Sequence, residues 1–176
     1  MGRIMKVGEN LTGSLLVAHP DLRDPNFRRT IIFLSQHIPE EGATGFVLNR
    51  PIPFEADGGP KAPAYFGGPV EAGKMLLASL QWRENPSMVA FRAFNGGEED
   101  ESRRGWEDGL RLFAGYSGWS VGQLEQELEQ NAWLLLTPTR ELIEMKNPDT
   151  AWKNIMRASG PFFHLLSDAP DDPRQN

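Results

Sequence analysis

The chain contains no cysteine. That excludes disulfides, thiolate metal sites, iron–sulfur clusters and a cysteine nucleophile together. It also fits a reducing compartment. Histidine is scarce, at three residues, so a histidine-based metal centre has few ligands to draw on. Long apolar runs are missing too. The longest, such as Leu134-Leu135-Leu136, fall far short of the roughly 20 residues that span a bilayer. Residues 1–10 carry no apolar core of the kind a signal peptide needs. The expected location is therefore cytoplasmic, with no membrane partner. Positive charge is in deficit: 18 Lys and Arg against 24 Asp and Glu leave a net charge of −6. Such a chain is a poor non-specific binder of nucleic acid.

What is present is an ordinary globular composition. Apolar residues make up about 48% of the chain once glycine is counted and tyrosine left out. At 176 residues, one domain is expected, burying roughly 70% of its unfolded surface. Residues 1–10 read as a loose lead-in, 11–167 as the single domain, and Asp168 to Asn176 (DAPDDPRQN) as a disordered acidic tail. Pro51 to Pro63 and Asn95 to Arg104 read as loops.

Short apolar runs between turn residues predict about seven strands: 14–18, 29–34, 44–48, 75–80, 89–94, 110–116 and 133–137. The second and third make a hairpin around Pro39-Glu40-Glu41-Gly42. Ser120 to Gln130 predicts a helix, with Ser120 and Gln123 at capping-box spacing. Val121, Leu124 and Leu128 form its apolar stripe, and Glu125, Glu127 and Glu129 are left to water. A second helix is expected from Pro148 to Ser159, capped by Asn147, ended by Gly160-Pro161, and buried through Trp152, Ile155 and Met156. A short helix near Glu98 to Trp106 and a helical turn over Arg23 to Arg28 are further candidates; Glu141 to Met145 is ambiguous. Strands first, then strand–helix–strand, then helix: the order implies an α+β (α/β-like) fold, a mixed sheet with helices outside.

Four constellations could carry chemistry. Gly115-Tyr116-Ser117-Gly118-Trp119 follows a strand pattern and precedes a helix, the setting of a nucleophile elbow, with Asp149 and His164 following in Ser…Asp…His order. The fifth position is Trp119 where the elbow needs glycine, so a core tryptophan after a glycine turn is the competing reading. His19, Asp21 and Asp24 could hold a divalent metal, with His37 as a possible further ligand; the prolines around them favour a plain turn. Gly67-Gly68-Pro69 could present backbone N–H groups to an anion, or simply make a tight turn. It is neither a P-loop nor a dinucleotide fingerprint. Finally Arg28, Arg29 and Arg50 with Asn49 could form a polar cluster at one end of the hairpin, leaving His37 at the other.

Several stretches together resemble the bacterial AlgH/YqgE family. They are His19 to Thr30 (HPDLRDPNFRRT), Gly45 to Pro51 (GFVLNRP), Phe66 to Val70 (FGGPV), Gly115 to Glu127 (GYSGWSVGQLEQE) and Ala132-Trp133. The likeness runs from about residue 11 to 166. The resemblance implies a bent, partly barrel-like mixed sheet flanked by helices. It implies no established enzyme activity and no cofactor, although the family is sometimes labelled a transcriptional regulator. Motif positions matched here include Arg28, His37, Asn49, Gly67, Gly68, Trp119 and Gln123. The segment Asp57 to Pro63 departs from the family, being shorter and richer in Gly and Pro.

A non-catalytic binding or regulatory module is therefore expected, its partner an unidentified protein or small molecule. Arg28, His37, Asn49, Gly67, Gly68, Tyr116, Trp119 and Gln123 are its candidate binding residues. The alternatives are a small hydrolase using Ser117 or a His37 general base, and a DNA-binding regulator. The latter is disfavoured because the best helix is acidic and no basic recognition helix is present.

Overall fold

The segment richest in β-branched and aromatic residues forms the centre of the sheet. In the computed structural model, which describes residues 9–54, 62–94 and 103–168, β2 (Ile31–Ile38) and β3 (Gly42–Val47) pair as the expected hairpin. Ile32 stands opposite Val47 and Leu34 opposite Gly45, with a bulge between Leu34 and Gln36. β1 (Leu15–Ala18) pairs antiparallel with β2 on its other side. The expectations for residues 1–8, the tail from 169, the loop over 57–61 and the helix start near Glu98 lie outside the described residues.

Nine strands are present among the described residues. The two not expected are short: β4 (Pro51–Ile52) and β5 (Ala64–Phe66). β6 (Val70–Glu84) and β7 (Ser87–Phe94) are longer than the apolar runs that announce them, and they join through residues 85–86. β8 (Leu110–Trp119) is the hinge of the architecture. Over Leu112 to Ala114 it pairs parallel with β5, over 117–119 antiparallel with β3, and along its other edge with β6. Sharing one strand among three neighbours curls the sheet into a half-barrel. β9 (Trp133–Leu136) pairs with β1 and completes the order β4-β5-β8-β3-β2-β1-β9. The fold is α+β, with the mixed, partly barrel-like sheet the resemblance implied.

Both faces of the central strands are buried, which explains why β1 reads as a continuous apolar run and not as an alternation. One face joins Leu15, Val17, Ile31, Phe33, Phe46 and Phe113 to Trp152 and Met156. The other joins Leu16, Ile32, Leu34, Trp119, Leu124 and Trp133. α1 (Gln123–Glu129) covers this second face, shorter than expected at its start. Gly122 adopts φ 75° before it, and Val121 is 60% exposed, outside the stripe assigned to it. α2 (Arg140–Ile143) settles the ambiguous segment, with the Thr139 hydroxyl accepting from the Leu142 N–H. α3 (Pro148–Ala158) is the expected second helix, but the Asn147 side chain makes no capping bond. Gly160, at φ 118°, ends it, and Pro161 opens an unexpected α4 (Pro161–Asp168). Proline suits a first helical turn, so the same dipeptide stops one helix and starts another.

Candidate functional site

His37 sits near the end of β2 and is 1% exposed. Its Nδ1 accepts the Leu11 N–H at 3.0 Å, and its Nε2 donates to Glu125 Oε1 at 2.8 Å. This pattern assigns the ring proton to Nε2. Both nitrogens are spent on joining the residue 11 loop, β2 and α1, so no lone pair is left for a general base. Glu125, expected to face water, is the helix side of that tie.

Trp119 is also inside, 5% exposed, as the core reading of the elbow motif expects. Its indole N–H donates to Glu127 Oε2 at 2.9 Å, and the Trp133 N–H donates to the same oxygen at 2.7 Å. Phe27 stacks on Trp119 and meets Trp133 edge-on. Gln123 completes the arrangement. Its Oε1 accepts from the Ser120 N–H at 3.1 Å, and its Nε2 donates to Glu127 Oε1 at 3.0 Å. One arm of the expected capping box therefore forms, and the same side chain positions the carboxylate that holds both indoles.

Ser117 does not stand on an elbow. β8 continues through it to Trp119, because Gly45, Thr44 and Ala43 of β3 pair with 117–119. The serine is 0% exposed, and its hydroxyl donates to the Gly67 carbonyl at 3.1 Å. His164, its proposed partner, pairs with Asp168 on α4. A nucleophile needs access and a base; Ser117 has neither. The Gly67-Gly68 pair is a close approach to β8, not an anion cradle. The Gly67 N–H goes to the Ala114 carbonyl at 2.9 Å. A Cβ on Gly67 would lie 2.2 Å from the Gly115 carbonyl oxygen, and one on Gly68 2.2 Å from Tyr116 backbone.

The cluster at the opposite hairpin end is built of turn ties. Asn49 accepts from the Ile31 N–H at 2.8 Å and donates to the Arg29 carbonyl at 2.9 Å. Residues 24–28 form the expected helical turn, with the Arg28 N–H donating to the Asp24 carbonyl. Arg50 donates to the carbonyls of Pro25, Asn26 and Arg28 and lies over the Phe66 ring. Burial, then the neighbouring Arg28, lowers the Arg50 pKa from its ordinary value, against an opposing pull from Asp24. Arg28 is exposed at the edge of this turn. His19 Nδ1 accepts from the Asp21 N–H, and Asp24 from the Asn26 N–H. These are turn bonds, and among the described residues no three acidic or histidine side chains gather as metal ligands.

The predicted binding residues thus do not converge on one site. Of them, Tyr116 and Trp119 border an open depression. It is a groove of about 320 Å³ lined also by Gln36, Glu41, Thr44, Val70 and Gly118. Thr44 pairs with both Gln36 and Gly118, so the floor continues the Phe46 face of the sheet past the end of the core. Gly118 has no side chain to fill it. Sequence reasoning passed over Gln36 and Thr44 and met Gly118 only within the elbow motif; their common signal is polar or minimal side chains on strands that otherwise read as apolar. It also passed over Arg111, the single cation in the Leu110 to Tyr116 run. Arg111 is half-buried on β8, donates to the Ile143 carbonyl and lies over the Tyr65 ring, with burial lowering its pKa from the ordinary value.

A curled mixed sheet with helices on its outside defines an α+β fold class. The comparisons give the family within that fold class: the AlgH-like family model matches residues 15–163, and the protein belongs to this family. A UPF0301 protein of Thermobifida fusca is 35% identical over 190 residues, covering 95% of this chain and 96% of the relative. One from Streptomyces coelicolor is 34% identical over 188 residues, covering 95% and 96%. Two solved structures share the fold at 23% identity each. A Corynebacterium diphtheriae crystal structure has a TM-score of 0.73, covering 94% of this chain and 95% of that one. The solution structure of AlgH from Pseudomonas aeruginosa has a TM-score of 0.61, covering 96% and 98%. Among the described residues, no helix is long and apolar enough to cross a membrane.

Proposed function

We propose that this protein is a non-catalytic binding or regulatory module, a single cytoplasmic domain over residues 11–167 that meets a protein or small-molecule partner at the groove beside Tyr116. The observation that carries this reading is the commitment of the catalytic candidates: Ser117 is buried on the Gly67 carbonyl and His37 is tied at both nitrogens. The groove, by contrast, offers Gln36, Thr44, Glu41 and the Tyr116 ring to solvent. Polar groups beside one aromatic face suit recognition of a partner. A regulator acting directly on DNA finds less support, since Arg50 is held by three backbone carbonyls.

One preparation tests both parts. Native mass spectrometry of the purified protein should show a copurifying species that Thr44→Arg, which crowds the groove, removes. A fluorophosphonate probe on the same sample should leave the protein unlabelled. Labelling that Ser117→Ala abolishes would establish the hydrolase instead.

A further inference from the structure

Arg111 is a half-buried cation to which no described residue brings a carboxylate. It lies on the Phe113 side of β8, between β5 and β6. One Nη2 N–H goes to the Ile143 carbonyl, near the end of α2. The ring of Tyr65 lies 5.9 Å from the guanidinium carbon. No carboxylate pairs with it among the described residues, and its other N–H groups have no acceptor there. None of those groups is a fully buried nitrogen without a partner. The guanidinium is therefore half-buried in the sheet, and its unbonded edge is not fully enclosed. Opposite it on β6 stands Ala78, itself fully buried in the core. An ionised group in such a place is costly unless paired. A cap on α2 uses one donor and leaves the fork of the guanidinium unused.

We propose that Arg111 anchors a binding site for a small organic carboxylate with an apolar body. The planar fork matches a carboxylate through two parallel N–H···O bonds. The anion is singly charged because one fork receives it: among the described residues no second cation acts on Arg111 to balance a phosphate dianion. The apolar body rests on the Tyr65 ring and the neighbouring Leu76, which borders the same core. This site is separate from the groove beside Tyr116 and stands or falls without it.

The test follows the Arg111 Nε–Hε signal by NMR in the full chain, with benzoate, acetate and inorganic phosphate as probes. Benzoate should shift that signal saturably and raise the melting temperature, with acetate and phosphate each at least tenfold weaker. Arg111→Gln should weaken benzoate binding at least tenfold, and Tyr65→Leu several-fold. Arg111→Lys, which keeps the charge and a donor for Ile143 but loses the fork, should also lose most of the binding. The assignment is overturned if benzoate leaves the Arg111 signal unmoved, if Arg111→Lys binds as the wild type does, or if phosphate binds as tightly as benzoate. Should Arg111→Gln fail to fold, the wild-type titration and Arg111→Lys still decide.

Discussion

A single carboxylate oxygen of Glu127 receives the N–H groups of both Trp119 and Trp133. Hydrogen bonds to a charged acceptor contribute more than neutral ones, and a donor left without one costs its desolvation. Glu127→Ala strands two indoles and should destabilise the protein by roughly 2–4 kcal/mol in urea unfolding. Glu127→Gln keeps an acceptor oxygen but loses the charge, so its loss should be about half as large. A Gln variant as unstable as the Ala variant would mean that charge, not geometry, carries the contact. The tryptophan fluorescence of both variants should shift, because the indoles change partner. Residue-level chemistry of this kind was only half legible. The Ser120–Gln123 spacing announced a helix start, yet nothing in the spacing said that Glu125 and Glu127 face inward. Helical periodicity places them off the apolar stripe; the tie to His37 and the indoles is made by distant strands.

At the scale of the element, β8 shows how a local motif can mislead. Glycine, serine, glycine before a helix matches a strand-to-helix elbow in sequence. The strand instead runs on, since β3 offers three more residues of ladder. The paired glycines of the Phe66 to Val70 stretch serve this same strand. Gly67 and Gly68 let their backbone close on Gly115 and Tyr116, where backbone atoms would lie 2.2 Å from an added Cβ. Backbone cannot retreat as a flexible side chain can, so Gly68→Ala should cost more than about 4 kcal/mol, beyond the range of ordinary substitutions. Gly118→Ala is the matched control. An added Cβ there would meet its nearest neighbour at 3.4 Å, an ordinary contact. It should stay within about 1 kcal/mol of wild type. Melting temperatures of the pair check this, and a tolerated Gly68→Ala would remove the steric account.

Over the whole molecule, the two cores are the two faces of the same central strands. Trp152 of α3 donates its indole N–H to the Ala18 carbonyl at 2.8 Å, joining residues 134 positions apart. Such a sheet should open as a unit. Amide hydrogen exchange should therefore be slowest along β1 and β2, whose Leu15 to Ala18 and Ile31 to Leu34 side chains are all at most 2% exposed. It should be fastest among the helices in α4, which exposes Phe162 and Leu165. Exchange from β1 before α4 would break the picture. The same shared strands explain what could be read in advance. Apolar runs, turn residues and caps are local, and by themselves they determined the hairpin, the two main helices and the α+β class. Which polar residues are spent inside and which meet solvent was decided only in three dimensions. Ser117, His37 and Asn49 look like chemistry in the chain because their side chains are reactive or polar; the fold uses them because buried backbone groups require partners. Arg111, unremarkable in a line of text, stands out only where the sheet half-buries it and no described residue sets a carboxylate beside it.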